Sequence, residues 1–324
     1  MIKIMQIGYG YWGNNVAKKL LMSPNCVFSY LVETCEEKRS AAQKSMPDVA
    51  VIDDYKKHLA DVDAVVICTQ TQYSFQIAMD AMDAGKHVFI EKPLAQNVAL
   101  AEELIEKANE NKLILHCDHL MVYNPVIRYI KNMIDREELG EIMYIDISRI
   151  NLGIVRKDIN AMLDLAVHDI AVVDFLLGRL EPQKLYATGT RFFGEQDTIT
   201  YLSMKDKNTL ININSSWISP VKVRRSVIAG TKKMVIFDDT KLDGKLRIFD
   251  SGIDVVQGKV YGEYEVKTRN GDVYMPHIPN EDALLNSIEH FIHCVMTGEE
   301  SLSGPRQSLR VMKILERAQK ELRK

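Results

Sequence analysis

Short apolar runs alternate with helical patterns through the first third of the chain. The runs end at turn residues, and the stretches between them carry apolar side chains every three or four positions. The predicted strands are Lys3–Ile7, Val27–Val32, Ala64–Cys68, His87–Ile90 and Leu113–Leu115, and the predicted helices include Trp12–Met22, Ser74–Ala84 and Ala95–Asn111. Strands separated by helices of this length indicate βαβ units and a parallel sheet.

The pattern changes near residue 118. Helices are predicted at Pro125–Arg136 and Asp164–Leu177, and two more close the chain at Glu281–Met296 and Gln307–Arg323. From Gln183 to Phe249 short strands follow one another, among them Leu210–Trp217 and Val221–Ile228, with turns predicted at Asp243-Gly244 and Asn270-Gly271. We therefore expect an α/β domain over residues 1–118 and an α+β domain with a mostly antiparallel sheet over residues 119–324. The last two helices could pack back on the first domain.

Composition agrees with a globular two-domain protein. The chain has 324 residues, of which 46% are apolar and 26% charged. Its 41 basic and 44 acidic side chains give a net charge of −3, which argues against nucleic-acid or membrane partners. We find no signal peptide and no apolar run of ~20 residues. The five scattered cysteines indicate reduced thiols and a cytoplasmic location.

A glycine-rich motif, Gly8-Tyr9-Gly10-Tyr11-Trp12-Gly13, follows the first predicted strand and opens the first predicted helix. In that context G-x-G-x-x-G indicates a dinucleotide-binding Rossmann domain. Gly8 allows the tight turn, Gly10 lets the backbone approach a pyrophosphate, and Gly13 lets the helix pack on the strand. The alternative is a glycine-rich turn that binds no ligand.

Glu33 lies twenty residues beyond Gly13, at the end of the second predicted strand. A carboxylate there accepts hydrogen bonds from a ribose 2′-hydroxyl and repels a 2′-phosphate, which favours NAD over NADP. Lys38 and Arg39 follow closely and could reach a phosphate, so NADP stays open as the less favoured cofactor.

Two later motifs carry a family resemblance. Gly85–Pro93 contains Glu91-Lys92-Pro93 at the end of a predicted strand, and Asp158–Asp169 contains Asp164 and His168 in a D-x-x-x-H pattern. Together with the glycine motif they resemble the glucose–fructose oxidoreductase/inositol dehydrogenase family, also called Gfo/Idh/MocA. The resemblance covers nearly the whole chain.

The resemblance implies a Rossmann domain followed by an α+β domain with an open sheet, which commonly forms a dimer or tetramer interface. It implies NAD(P)-dependent oxidation or reduction of a sugar or polyol, and a cis peptide at Lys92–Pro93. Catalytic roles carry over onto Lys92, Asp164 and His168. Cofactor contacts are expected from Gly8, Tyr9, Gly10, Tyr11, Trp12, Gly13, Glu33, Thr69, Gln70, Glu91 and Lys92. Gln70, Ser74 and Leu163 stand where many members have proline, histidine and tryptophan.

These residue types suit alcohol oxidation. His168 can take the hydroxyl proton, Asp164 four residues earlier can orient the imidazole or contact substrate, and Lys92 can stabilise charge on the oxygen. The structural alternative is that Asp164 caps a helix, His168 satisfies core polar groups and Lys92 is a surface charge.

Other polar side chains are candidates for substrate hydroxyls or a phosphate. They are His119, Tyr123, Arg149, Asn151 and Asn160, for which strand pairing or helix capping is an equally good interpretation. His116 and His119 would point to opposite faces of a strand, and the helical pair His290 and His293 lacks an obvious third ligand, so we expect no metal.

The middle segment, Tyr144–Asn160 with the Asp164–Asp169 run, most resembles family members that act on nucleotide sugars. The leading hypothesis is therefore an NAD-dependent dehydrogenase acting at C3 of a nucleotide sugar, such as a UDP-N-acetylhexosamine or its uronate. The alternatives are a catabolic dehydrogenase of a free sugar or inositol-type polyol, and a non-catalytic NAD-binding sensor.

Overall fold

The computed structural model describes residues 1–257 and 264–323. The chain divides into two compact units. The first comprises Met1–Asn124 and Glu281–Lys313, and the second comprises Pro125–Asn280 and Ile314–Lys324. The C-terminal stretch is thus divided between them, with the helix Ala283–Thr297 wholly in the first unit.

A six-stranded parallel sheet forms the centre of the first unit. The elements of this unit are β1 (Ile2–Ile7), α1 (Tyr11–Met22), β2 (Cys26–Val32), α2 (Glu36–Ser45), β3 (Ala50–Ile52), a 3₁₀ helix (Lys56–Asp61), β4 (Ala64–Ile67), α3 (Thr71–Asp83), β5 (His87–Ile90), α4 (Val98–Glu110), β6 (Leu115–Cys117) and a 3₁₀ helix (Leu120–Tyr123). The strands run in the order β3-β2-β1-β4-β5-β6, the Rossmann order.

Burial explains why these strands read as uninterrupted apolar runs. Every residue of β4 is buried, and β5 is buried from Val88 onward, because helices cover both faces of the sheet. One face packs on α3 and α4, and the other packs on α1 and the helix Ala283–Thr297 through Leu20, Phe89 and Phe291. Gly85 has a φ of +74° just after α3, which is the left-handed position that ends helices.

The second unit is built on one large sheet. The elements of this unit are α5 (Pro125–Asp135), β7 (Ile142–Ile150), a π-helical turn (Met162–Ala166), α6 (Val167–Leu177), β8 (Lys184–Thr190), β9 (Ile199–Asp206), β10 (Thr209–Ser216), β11 (Val223–Gly230), β12 (Met234–Asp238), β13 (Leu246–Gln257) and β14 (Tyr264–Tyr274). In the described part of the chain the sheet has eight strands in the order β14-β13-β12-β11-β7-β10-β9-β8, antiparallel except where β7 and β10 run parallel. The final helices are α7 (Ala283–Thr297) and α8 (Pro305–Leu322), and the units divide within α8.

The predicted fold class is confirmed, with local corrections. The Asn270-Gly271 turn is wrong, because both residues lie inside β14, where the register with β13 shifts between Phe249 and Ser251. The Asp243-Gly244 turn does connect β12 and β13, with Gly244 at a φ of +60°. The sixth strand begins at Leu115 rather than Leu113.

Candidate functional site

The glycine-rich turn lies between β1 and α1, at the carboxyl end of the sheet. A Cβ on Gly8, whose φ is +99°, would lie 2.7 Å from the carbonyl oxygen of Cys68, and a Cβ on Gly13 would lie 2.4 Å from that of Gly8. Both positions therefore require glycine for packing. A Cβ on Gly10 would meet nothing within 4 Å, so the space beside Gly10 is open to a ligand at the start of α1.

Gln6 holds this turn in place. Its buried side-chain amide donates to the carbonyl oxygens of Gly8, at 2.9 Å, and Gly13, at 2.8 Å. The sequence pattern did not assign Gln6 a role, although it is the one buried polar side chain of β1. A buried amide bridging both ends of a loop is a structural support for that loop.

Glu33 lies directly beside the glycine-rich turn. One carboxylate oxygen accepts from the backbone N–H of Tyr9 and the other from that of Cys35, both at 3.0 Å. Arg39 turns back toward the same segment and donates to the carbonyl oxygens of Glu33 and Thr34 at 2.9 and 2.6 Å. The carboxylate is thus fixed where β2 ends, and one Arg39 nitrogen is committed to the backbone.

Thr69 and Gln70 follow β4. The hydroxyl oxygen of Thr69 is buried and has no hydrogen-bond partner among the described residues, and its methyl group lies beside Gly8. Gln70 is exposed and precedes α3, where its carbonyl oxygen accepts from the N–H of Tyr73 at 2.9 Å. An unpaired buried hydroxyl beside the glycine-rich turn is a ready partner for a bound polar group.

Glu91 and Lys92 follow β5, and the Lys92–Pro93 peptide is cis. The Glu91 carboxylate accepts a hydrogen bond from the indole N–H of Trp12, which ties the lysine segment to the glycine-rich turn. Asp118, which follows β6, is buried next to Glu91 and accepts from the Ser287 hydroxyl at 2.7 Å. No motif in the sequence points to a role for Asp118.

His119 and Tyr123 differ in what their side chains can still bind. His119 is buried, and neither of its ring nitrogens has a hydrogen-bond partner among the described residues. Burial and the nearby charge of Lys92 lower the pKa of His119 to about 4, so the ring is neutral at pH 7. The Tyr123 hydroxyl is instead bonded to Ser303 at 3.0 Å and is buried, which favours the structural interpretation for Tyr123.

In the second unit, Asp164 lies within the π-helical turn. Its carboxylate accepts from the indole N–H of Trp217 at 3.2 Å, and the Arg156 guanidinium lies 3.6 Å away. Asn160 accepts from the N–H of Leu163 at 3.0 Å, so the capping role weighed for Asp164 belongs to Asn160. The helix predicted from Asp164 is α-helical only from Val167, and π-helical turns often occur at functional sites.

His168 is the second residue of α6, and its neighbour Asp169 anchors that helix to the sheet. Asp169 and Arg149 of β7 are both buried, and three hydrogen bonds of 2.6 to 3.1 Å join them. This commitment of the guanidinium to Asp169 favours the structural interpretation for Arg149. Asn151, just after β7, lies beside Gly153 and stays a candidate.

Two protein-family models match successive parts of the chain. Residues 2–119 match the model of an oxidoreductase family with an NAD-binding Rossmann fold, and residues 127–236 match the C-terminal domain of the same family. The chain belongs to the Gfo/Idh/MocA oxidoreductase family. The resemblance drawn from the three motifs is confirmed, and with it the assignment as an oxidoreductase that acts on CH–OH groups.

Individual relatives in this family have several named activities. The UDP-N-acetylglucosamine 3-dehydrogenase of Acidithiobacillus ferrooxidans is 30% identical over 239 residues, which cover 73% of this chain and 71% of that protein. Its solved structure superposes with a TM-score of 0.84 at 23% identity over 99% of this chain and 97% of that one. A 2,7-anhydro-N-acetylneuraminate hydratase of Mediterraneibacter gnavus is 22% identical, over 75% of this chain and 68% of the relative. A myo-inositol 2-dehydrogenase of Thermotoga maritima is 23% identical, over 60% of each chain.

No helix in the described part of the chain combines the length and the apolar composition that a bilayer crossing requires.

Proposed function

We propose that this protein is an NAD-dependent dehydrogenase of a nucleotide sugar, acting at the C3 hydroxyl or on the corresponding ketone. The observation that carries the proposal is the 30% identity to a UDP-N-acetylglucosamine 3-dehydrogenase over 73% of the chain. The substrate we favour is a UDP-N-acetylhexosamine or its uronate.

Three side chains perform the proton chemistry in this proposal. His168 takes the proton of the substrate hydroxyl, and Lys92 donates a hydrogen bond to the oxygen as negative charge develops on it. Asp164, held by Trp217 and Arg156, contacts the substrate or orients the His168 imidazole. When bound, the nicotinamide accepts or returns the hydride.

The first unit has features that fit a dinucleotide. The open space at Gly10 lies at the start of α1, where backbone N–H groups point outward to receive a pyrophosphate. The Thr69 hydroxyl has no partner among the described residues and lies nearby, and Glu33 offers carboxylate oxygens to a ribose. The His119 ring nitrogens also have no partner in the described part of the chain, so His119 is a candidate to bind a polar group of cofactor or substrate.

Gly13→Ala will mainly lower the stability of the protein, whereas Gly10→Ala will mainly weaken NAD binding. Gly13→Ala will lower the free energy of unfolding by about 1–3 kcal/mol, because its Cβ collides with a backbone carbonyl. Gly10→Ala will change it by no more than about 0.5 kcal/mol but will weaken NAD binding at least ~10-fold by filling the approach to the pyrophosphate. Urea denaturation and calorimetric titration with NAD measure the two effects. Equal NAD affinity in Gly10→Ala and the wild type would contradict the proposed site.

Replacing Glu33 with serine will shift the preference from NAD toward NADP. The change removes a charged hydrogen-bond acceptor for the 2′-hydroxyl and a repulsion against a 2′-phosphate, while Arg39 remains. The ratio of kcat/KM for NAD to that for NADP is expected to fall roughly 10- to 100-fold. Glu36→Ser, at an exposed carboxylate in the first turn of α2, is the matched control and should leave the ratio unchanged. A ratio unaltered by Glu33→Ser would remove Glu33 from cofactor selection.

The substrate proposal is tested by following NADH formation with NAD against a panel of candidates. The panel comprises UDP-N-acetylhexosamines, their uronates, dTDP-linked sugars and free polyols, each with and without 2-oxoglutarate as an electron acceptor. NADH formed only with a nucleotide sugar supports the proposal. Activity confined to free polyols would favour the second candidate, which the similarity to a myo-inositol 2-dehydrogenase supports. If NAD binds but no NADH forms with any member of the panel, a non-catalytic NAD-binding sensor would be favoured.

We also propose that a second copy of the chain covers the outer face of the large sheet. Tyr144 and Leu210, on paired positions of β7 and β10, are exposed there, as are Tyr201 of β9 and Tyr186 of β8. Apolar side chains grouped on one sheet face favour association. A molar mass of two or four chains in light scattering would support this proposal.

The cytoplasmic location of the protein stays a prediction.

A further inference from the structure

Two carboxyl groups lie side by side at the carboxyl end of the parallel sheet. Ile90 of β5 pairs in register with Cys117 of β6, so the next residues, Glu91 and Asp118, are neighbours across the two strands. In register-matched positions of parallel strands the side chains leave the same face. Asp118 has 1% of its surface exposed, and Asp118 N–H donates to the carbonyl of Ile90 at 2.8 Å, which fixes the two segments together.

Each carboxyl group has one oxygen engaged with a different helix. The Trp12 indole of α1 donates to Oε1 of Glu91, and the Ser287 hydroxyl of α7 donates to Oδ1 of Asp118. The second oxygen of Asp118, Oδ2, is buried and accepts no hydrogen bond from any N–H or hydroxyl of the described residues. Burying a carboxylate oxygen without a hydrogen-bond donor costs free energy of folding, so a donor is expected at this position.

We propose that Glu91 and Asp118 share one proton, with protonated Glu91 donating to Oδ2 of Asp118, and that this pair clamps the Lys92 segment to the glycine-rich turn. The proton supplies the missing donor for Asp118. It also leaves the pair with a single negative charge, which the neighbouring Lys92 balances. Trp12, Glu91 and Asp118 are then positioning residues for Lys92 and for the turn.

The electrostatic surroundings agree with this geometry. Burial, together with the charge of Asp118, raises the pKa of Glu91 well above its usual range, and burial raises that of Asp118 to about 6. Two carboxylates in contact cannot both ionise cheaply, and here the positive charge of Lys92 only partly offsets the burial. Among the described residues, the other titratable groups facing the pair are Cys68 after β4, Cys117 of β6, His119 after β6 and Tyr123 of the following 3₁₀ helix, with His116 reached through Ser287 of α7.

None of these neighbours supplies a competing charge at neutral pH. Burial raises the pKa of both thiols, Cys68 and Cys117, and of the Tyr123 hydroxyl, so all three stay protonated. Burial lowers the pKa of His116 and His119, so both rings stay neutral. The shared proton is therefore the one that is lost from this cluster as the pH rises. Its loss places two negative charges beside each other, on Glu91 and Asp118.

Infrared difference spectroscopy tests the shared proton directly. At pH 7 the wild-type protein is expected to show the C=O band of a buried protonated carboxyl group, which shifts in D₂O. Glu91→Gln should lose this band, and Asp63→Asn should keep it. Asp63 is the matched control because its carboxylate, in the same unit, accepts from the N–H of Lys3. A wild-type spectrum without the band at pH 7 would overturn the proposal, whether or not the protein acts on a nucleotide sugar.

The pH dependence of NAD affinity tests the positioning role. In the wild type, NAD binding is expected to weaken at least ~10-fold as the pH rises above about 6 and the shared proton is lost. Asp118→Asn, whose amide can donate to Glu91 at any pH, should have a flat profile, whereas Asp118→Ala should bind weakly throughout. A purely structural contact would give no pH dependence, and a flat wild-type profile would contradict the proposed clamp.

Discussion

Lys92→Ala will abolish nearly all turnover while leaving NAD binding almost intact. The substitution removes the cation proposed to stabilise negative charge on the reacting oxygen, and positioned proton-transfer groups contribute about 10²- to 10⁴-fold in rate. We expect kcat with a nucleotide sugar to fall by about that factor, and the Kd for NAD to stay within about threefold because the glycine-rich turn is untouched. Steady-state kinetics and calorimetric titration measure the two quantities.

Lys86→Ala is the control for this experiment. Lys86 lies just before β5, on the same chain segment, and should tolerate the change with normal kcat. If Lys92 and His168 serve one proton-transfer step, the double variant Lys92→Ala/His168→Asn will be little slower than the worse single variant. An NAD-binding sensor would keep its ligand response in Lys92→Ala, and normal turnover in that variant would remove Lys92 from the chemistry.

Arg149→Ala will strongly destabilise the second unit. The substitution leaves Asp169, with 2% of its surface exposed, as a buried carboxylate without its guanidinium partner. Breaking a buried ion pair from one side costs about 3–5 kcal/mol, because the remaining charge is uncompensated. We expect a loss of that size in the free energy of unfolding measured by urea denaturation, together with lower activity, since α6 carries His168.

Two further variants isolate the cause. Arg149→Met/Asp169→Leu replaces both charges with apolar side chains and should recover most of the lost stability. Arg179→Ala breaks an exposed pair with Glu181 and should cost no more than about 1 kcal/mol. If the single and double variants at Arg149 are equally destabilised, the loss comes from packing rather than from the unpaired charge.

The fold was predictable because its signals are local. Buried parallel strands such as β4 read as apolar runs, and the glycine-rich motif required a strand before it and a helix after it. The short β3 and the adjacent α2 were missed, because α2 buries only Ala42 and therefore has almost no apolar stripe. The turn predicted at Asn270-Gly271 is wrong because strand pairing with β13 overrides a strong local turn signal.

The residues of the candidate site could be predicted where they belong to sequence motifs. They could not be predicted where their roles depend on tertiary contacts. The glycines and Glu33 follow from spacing along the chain. For Arg149 the sequence leaves substrate binding and strand pairing open, because an arginine on an alternating strand does not show that Asp169 of a later helix will neutralise it. Asp118 and Trp217 gave no signal, since their roles depend on partners on other elements, Glu91 and Asp164.

Both tryptophans of the chain have an indole N–H bonded to a carboxylate, and they lie in different units. Trp12 is partly exposed and touches Glu91, whereas Trp217 has 2% of its surface exposed and touches Asp164. The protein therefore contains its own pair of optical reporters. In Trp217→Phe the remaining emission reports on the glycine-rich turn and on energy transfer to reduced cofactor. In Trp12→Phe it reports on the surroundings of Asp164, so cofactor and substrate arrival can be followed separately without an added dye.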